Sequence, residues 1–170
     1  GAESLERMER EEQAMGGGGS QVSMSRAALE VAATGFYMMI LDGVWIALFA
    51  YSHYQEQIKD VQKSPMEAKP DGACFAYFCL ITVLYYFIIR QRKEAFPESF
   101  ILGFLVYGSF SGTNLALFTA WTWLTTLSDA LWGATLFGGS AWLVYKTLGI
   151  ENRGGEEQSL TFQGYSDRLA

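Results

Sequence analysis

Residues 73–89 read ACFAYFCLITVLYYFII, seventeen consecutive positions without a charged side chain. As a helix this run would be about 26 Å long, which is close to the roughly 30 Å hydrocarbon core of a bilayer. Polar and apolar residues do not alternate along it, as they would in a strand of a membrane barrel. The run therefore predicts a membrane-spanning helix.

Three further apolar runs have similar lengths. Residues 31–52 contain one charged residue, Asp42, residues 100–118 contain none, and residues 123–145 contain only Asp129. All fall in or near the range of 17–25 residues that is usual for a transmembrane helix. We therefore expect an all-α membrane protein with four transmembrane helices in an antiparallel bundle.

Basic residues predict how the bundle is oriented. In a four-helix topology nine of them share one side, and three are spread over the 53–72 loop on the other. The side richer in Lys and Arg belongs inside, so both termini are expected to face inward. The nine are Arg7, Arg10, Arg26, Arg90, Arg92, Lys93, Lys146, Arg153 and Arg168.

The composition divides the chain into a membrane domain and two polar tails. We expect an acidic, Gly-rich tail over residues 1–29, the membrane domain over 30–146 and a second tail over 147–170. Gly16–Ser20 (GGGGS) predicts a flexible break in the first tail. The start at Gly1 is interpreted either as a mature terminus left by cleavage of a leader or as a truncation.

Charge and residue usage exclude several classes of function. A net charge of −6 gives no electrostatic footprint for nucleic acid. Two cysteines and one histidine cannot supply a disulfide framework or a zinc site. No nucleophile elbow or phosphate loop is present in the sequence, so we expect neither catalytic residues, nor a metal, nor a cofactor beyond structural phospholipids.

Polar residues inside the apolar runs are the candidate site. Asp42 and Trp45 lie three residues apart on one helix face, so the indole N–H is a candidate donor to the carboxylate. Asp129 and Trp132 repeat the D-x-x-W spacing, and Asn114 is expected to meet Asp129 across the last hairpin. This cluster is either a polar pocket for a proton, ion or small substrate, or a set of interhelical hydrogen bonds that only hold helices together.

Three sequence blocks carry a resemblance to a known family. LDGVWIALFAYSHYQEQI at 41–58, YGSFSGTNLA at 107–116 and TLSDALWGATLFG at 126–138 resemble, in that order, the DUF2177 family of small integral membrane proteins. The resemblance covers residues 31–145 and implies the membrane fold, but the family has no established activity. The matching positions are Asp42, Trp45, Tyr107, Gly108, Thr113, Asn114, Asp129, Trp132 and Gly133.

One position departs from the family pattern as this resemblance implies it. The family block has an aspartate where this chain has Ser111. If three carboxylates perform the family's task, this chain has lost one. Loss of a polar site together with added tails is typical of a protein recruited to a structural role.

Two functions of different classes follow from these observations. The first is a non-catalytic accessory subunit of a large organellar membrane complex (respiratory, ATP synthase or photosynthetic) that contacts other subunits and lipids. The mitochondrial inner membrane is favoured, with the thylakoid membrane as the alternative. The second is a small transporter or channel that uses Asp42, Asn114 and Asp129.

Overall fold

The computed structural model describes residues 2–151, with side chains from Met24 onward, and these residues contain helices and turns but no strand. Most of the tail expected over 147–170 therefore lies outside the described residues. The helices are α1 (Ala2–Trp45), the π-helical turn π1 (Ile46–Ala50), α2 (Tyr51–Gln62), α3 (Pro70–Leu84), the second π-helical turn π2 (Tyr85–Ile89), α4 (Pro97–Leu117) and α5 (Trp123–Leu148). Helix α1, the turn π1 and helix α2 form one unbroken helical segment, and α3 and π2 form another.

Local sequence signals explain where these helices begin and end. Pro70 and Pro97 each occupy the first turn of their helix, where a missing N–H costs nothing. Thr122 caps α5 because its hydroxyl accepts from the Thr125 N–H at 3.2 Å. Gly149 ends α5 in the left-handed conformation, with φ of 59°.

Within the described residues, three continuous helices are long and apolar enough to cross a membrane, namely Met24–Gln62, Pro70–Ile89 and Pro97–Leu117. The class of all-α membrane protein is thereby confirmed. The expected fourth span lies in α5, which has 26 residues but is not among these three. Its glycine, serine and threonine residues lower its hydropathy, and many of them are buried against the other helices.

The GGGGS segment does not break the first helix. The expectation of a flexible linker at Gly16–Ser20 is wrong, because α1 is continuous from Ala2 to Trp45. Each glycine costs about 1 kcal/mol relative to alanine in a helix interior. Helix propagation is cooperative, so helix-favouring residues on both sides carry the helix through the segment.

Contacts at both ends of the bundle show that the first helix and α5 run antiparallel. A guanidinium nitrogen of Arg26 on α1 lies 3.4 Å from the carbonyl oxygen of Leu148 at the end of α5. At the opposite end, the Gln57 amide of α2 donates to the carbonyl of Ala120 in the α4–α5 connection. We call these the terminal end and the turn end of the bundle.

The hydrophobic core fills the half of the bundle nearer the terminal end. Its fully buried side chains come from α1, α3, π2 and α5, which therefore pack as one unit. The largest of them are Met38, Leu84, Ile89, Leu136, Phe137 and Val144.

Helices α4 and α5 pack most tightly through Gly103 and Gly133. A Cβ atom on Gly103 would lie 2.2 Å from the Gly133 carbonyl oxygen, so only glycine permits this approach. A Cβ atom on Gly112, by contrast, would meet no atom outside the local helix backbone within 4 Å. The close approach therefore does not use the G-x-x-x-G pair of Gly108 and Gly112.

A buried ion pair closes the terminal end. Glu30 is 2% exposed, and one of its oxygens accepts from Arg92 at 2.7 Å and from Arg26 at 3.3 Å. The second guanidinium nitrogen of Arg92 donates to the Ile89 carbonyl at 2.9 Å. The hydrogen bond to Glu30 raises the pKa of Arg92, so the cation of this pair persists at every physiological pH.

Candidate functional site

Asp42 and Asp129 line one cavity of about 450 Å³ in the turn-end half of the bundle. We call it the carboxylate cavity. Its wall is formed by π1, the neighbouring parts of α1 and α2, and the facing surfaces of α4 and α5, and residues of the 63–69 loop lie at its edge. Besides the two carboxylates it is lined mainly by aromatic and aliphatic side chains, including Trp45, Ile46, Tyr51, Tyr54, Met66, Tyr107, Phe110 and Trp132.

Both carboxylate oxygens of Asp42 accept hydrogen bonds from other helices. The Tyr77 hydroxyl of α3 donates to Oδ2 at 2.5 Å, and the Trp132 indole N–H of α5 donates to Oδ1 at 2.8 Å. A half-buried carboxylate thus joins three helices. Such bonds compensate for part of the cost of placing a carboxylate within the apolar part of the bundle.

Asp129, which also lines the cavity, accepts hydrogen bonds in a similar way. The Tyr54 hydroxyl of α2 donates to its Oδ1 at 2.7 Å. Ser111 of α4 is fully buried beside Asp129, and its hydroxyl accepts from the Trp121 indole N–H at 3.3 Å. Asp129 therefore connects α5 with α2 and approaches α4.

The two D-x-x-W motifs are joined by a hydrogen bond, in which the tryptophan of the second motif donates to the aspartate of the first. The expectation that Trp45 donates to Asp42 is wrong, since the donor is Trp132. Trp45 instead stacks on Trp132, with ring centroids 4.5 Å apart and planes 7° from parallel. The spacing put each aspartate and its tryptophan on one face of their own helix, and the structure brings both faces to one cavity.

Asn114 does not join the other predicted site residues. It is half-buried on α4, does not line the carboxylate cavity, and its side chain makes no hydrogen bond within residues 24–151. Its helix presents Ser111 to Asp129 instead. The expected meeting of Asn114 with Asp129 across the hairpin is therefore not observed.

The model of the family described as "Predicted membrane protein (DUF2177)" matches residues 27–146. This range covers more than half of the chain and contains every residue that binds the two carboxylates. The chain belongs to the DUF2177 family. No curated protein and no solved structure matches it.

The three DUF2177 sequence blocks meet at the carboxylate cavity. Asp42 and Trp45 of the first block, Tyr107 of the second, and Asp129 and Trp132 of the third all line it. Ser111, where the resemblance implies an aspartate in other members, lies beside Asp129. An aspartate at this position would bring a third carboxylate into the same region, whereas serine places a neutral hydroxyl there.

Tyrosine donors are the functional groups that the sequence did not reveal. Tyr54 donates to Asp129 and Tyr77 to Asp42, and Tyr107 also lines the cavity. On an apolar helix, tyrosine is usual as an interfacial or core residue, so its presence alone indicates nothing. The sequence did contain one indirect indication. Each intramembrane carboxylate needs hydrogen-bond donors, and tyrosine can supply them without adding charge.

A second polar network lies at the turn end, next to the cavity. The Thr125 hydroxyl donates to Oε1 of Gln57 at 2.8 Å and lies 3.0 Å from Nε2 of His53. The Thr122 hydroxyl lies 2.8 Å from that of Thr125. His53 therefore has a structural partner on α5, and the network fixes α2 against the start of that helix.

The arrangement offers hydrogen-bonding and binding chemistry. Each carboxylate is held by neutral O–H or N–H donors, and the rest of the cavity wall is largely apolar. In the part of the chain that the structure describes, no three His, Cys, Asp or Glu side chains converge in a way that could hold a metal ion. The site is suited to joining helices or to receiving a small, partly apolar ligand.

Proposed function

We propose that this DUF2177 protein is a non-catalytic accessory subunit of a large organellar membrane complex. The observation that carries the proposal is that both intramembrane carboxylates accept hydrogen bonds from other helices of the same chain. Asp42 accepts from α3 and α5 through both oxygens, and Asp129 accepts from α2. These groups hold helices together, which is what a structural membrane subunit requires of them.

A mobile ion or proton would have to compete with these bonds. The two donors to Asp42 lie at 2.5 and 2.8 Å, so releasing its carboxylate breaks contacts to two helices at once. Ser111 stands where a third carboxylate would complete a charged site. Both features favour a bundle whose polar groups are devoted to its own stability.

The proposal includes a location and partners. The terminal end carries Arg26, Arg90 and Arg92, so it faces the matrix or stroma under the positive-inside rule. The mitochondrial inner membrane is proposed first and the thylakoid membrane second, because nothing in the chain resembles a chlorophyll-binding antenna motif. Neighbouring subunits and lipids are the proposed partners, with the exposed apolar faces of the spans as their contact surface.

Blue-native electrophoresis of membranes solubilised in a mild detergent tests this proposal. Mass spectrometry along the lane should find the protein in a band of several hundred kilodaltons that also contains known respiratory, ATP synthase or photosynthetic subunits. A second lane in a harsher detergent should release it from that band. Migration near its own 18.9 kDa in the mild detergent contradicts the proposal.

A second candidate function rests on the carboxylate cavity. Its volume of about 450 Å³ lies within the range of small-molecule pockets, and both carboxylates reach it. A small transporter would bind a cation or a hydrogen-bonding solute between Asp42 and Asp129. Asn114, which lies away from the cavity, is not required for this role.

Flux in proteoliposomes distinguishes the two candidates. If the cavity transports a solute, Asp42→Asn and Asp129→Asn each abolish flux, whereas Asp60→Asn on the exposed part of α2 does not. Asp60 is a matched control because the change removes one carboxylate outside the cavity. If neither Asp42→Asn nor Asp129→Asn alters the flux, the transport function is ruled out.

A further inference from the structure

A second cavity, of about 500 Å³, lies at the terminal end of the bundle. Three guanidinium groups line it, from Arg26 on α1 and from Arg90 and Arg92 in the turn after π2. Among the side chains that the structure describes, Glu30 is the one carboxylate in its wall. The described lining therefore carries an excess of two positive charges.

Glu30 already pairs with two of the three guanidinium groups. It is 2% exposed and its Oε1 accepts from Arg92 at 2.7 Å and from Arg26 at 3.3 Å, so its one negative charge is shared between these two cations. Arg90 packs its guanidinium over the Tyr86 ring, 5.3 Å from the ring centroid. That contact positions the cation, and within residues 24–151 no other residue accepts a hydrogen bond from its guanidinium N–H groups.

The cavity is also rigid on one side. Arg92 is held by Glu30 through one nitrogen and by the Ile89 carbonyl, at 2.9 Å, through the other. Tyr85 of π2 contributes a further part of the wall. Preorganised guanidinium groups match the geometry of phosphate oxygens, because their donors form a planar fork.

The position of the cavity fits a membrane-surface ligand. Arg26 lies five residues before the apolar run at 31–52, and Arg90 directly follows the span Pro70–Ile89. Both guanidinium groups are therefore placed at the depth of the phospholipid headgroups. Basic pockets between transmembrane helices on the inner side are typical sites for anionic headgroups.

We propose that this terminal-end cavity binds a phosphate group, with Arg26, Arg90 and Arg92 as its cationic ligands. An anionic phospholipid headgroup and free phosphate share this chemistry. The site is distinct from the carboxylate cavity and does not depend on the protein being an accessory subunit.

Native mass spectrometry of the purified full chain tests the proposal. Phosphatidylglycerol and phosphatidylcholine are titrated separately into the protein in detergent, and phosphatidylglycerol is expected to bind more tightly. Arg90→Gln should weaken phosphatidylglycerol binding about fivefold, and the double variant Arg26→Gln, Arg90→Gln about 25-fold. Both substitutions leave the Glu30–Arg92 ion pair in place, and unchanged circular dichroism confirms the fold.

Lys93→Gln is the matched control. It removes one positive charge from the same turn, but Lys93 pairs with Glu98 at 3.1 Å and does not line the cavity. Binding by this variant should equal that of the unchanged protein. Equal affinity for the two lipids, or an equal loss in Lys93→Gln and Arg90→Gln, overturns the proposal.

Competition with inorganic phosphate identifies the source of the phosphate group. If millimolar phosphate displaces phosphatidylglycerol, and does so less well in Arg90→Gln, the site recognises free phosphate. If it does not displace the lipid while the Arg90 dependence holds, the site recognises the headgroup of a lipid anchored by its acyl chains. Either result supports the phosphate site.

Discussion

Trp132 on α5 donates its indole N–H to Oδ1 of Asp42 on α1 at 2.8 Å, across 90 positions of the sequence. The bond joins the first and last helices of the bundle within its apolar part. It also assigns different tasks to two similar motifs, since Trp132 donates and Trp45 only stacks on it.

Trp132→Phe should therefore lower the free energy of unfolding more than Trp45→Phe does. Both changes remove an indole, but only the first removes a donor to Asp42. The expected loss for Trp132→Phe is about 1–2 kcal/mol, with a smaller loss for the control. Thermal unfolding in detergent micelles measures both, and equal losses would show that stacking, not the N–H bond, is what matters.

Gly103→Ala should be strongly destabilising, whereas Gly112→Ala should be neutral or slightly stabilising. The new methyl group at Gly103 would lie 2.2 Å from the Gly133 carbonyl oxygen, and that at Gly112 meets nothing within 4 Å. We expect a cost of about 3 kcal/mol or more for the first and a gain of up to about 1 kcal/mol for the second. The same unfolding assay compares them, and a tolerated Gly103→Ala is incompatible with the described α4–α5 contact.

Arg92→Gln should destabilise the terminal end far more than Arg26→Gln. Glu30 is buried, and Arg92 is its closer partner at 2.7 Å. Removing one member of a buried ion pair costs about 3–5 kcal/mol, whereas the 54% exposed side chain of Arg26 should be worth less than about 1 kcal/mol. Limited proteolysis and thermal unfolding report the difference, and similar losses would refute the assigned order.

Thr125→Val should loosen the turn end. The change keeps the shape of the side chain and removes a hydroxyl that contacts both Gln57 and His53. The expected loss is about 1–3 kcal/mol, because buried partners remain unsatisfied. Thr135→Val is the control, since that exposed hydroxyl bonds only to the Leu131 carbonyl of its own helix. Hydrogen exchange of the α2 amides should become faster in Thr125→Val and stay unchanged in Thr135→Val.

Much of the fold follows from the sequence, since charge-free runs of sufficient length determine where helices form in a membrane. The run at 73–89 becomes the helical segment Pro70–Ile89 with nearly the predicted boundaries. The first span extends to Gln62, beyond the expected Ser52, because no helix-breaking residue intervenes before Lys63 adopts a left-handed conformation.

The candidate site was only partly predictable, for a geometric reason. Helical spacing tells which side chains share a face, and it correctly grouped Asp42 with Trp45 and Asp129 with Trp132. It does not tell which neighbouring helix a face meets, so Trp45 was expected as the donor to Asp42 in place of Trp132, and Tyr54 was not found.

The π-helical turn at Ile46–Ala50 changes how the first span should be read. In an uninterrupted α-helix, twelve residues would place Tyr54 about 120° around the axis from Asp42, facing away from Asp129. A π turn accommodates one extra residue, which reduces that angle to about 20° and turns both side chains toward the same neighbours. The residues before and after the π turn therefore follow two helical wheels that are offset by one position. A single helical wheel drawn over the whole span assigns the residues after the turn to the wrong face.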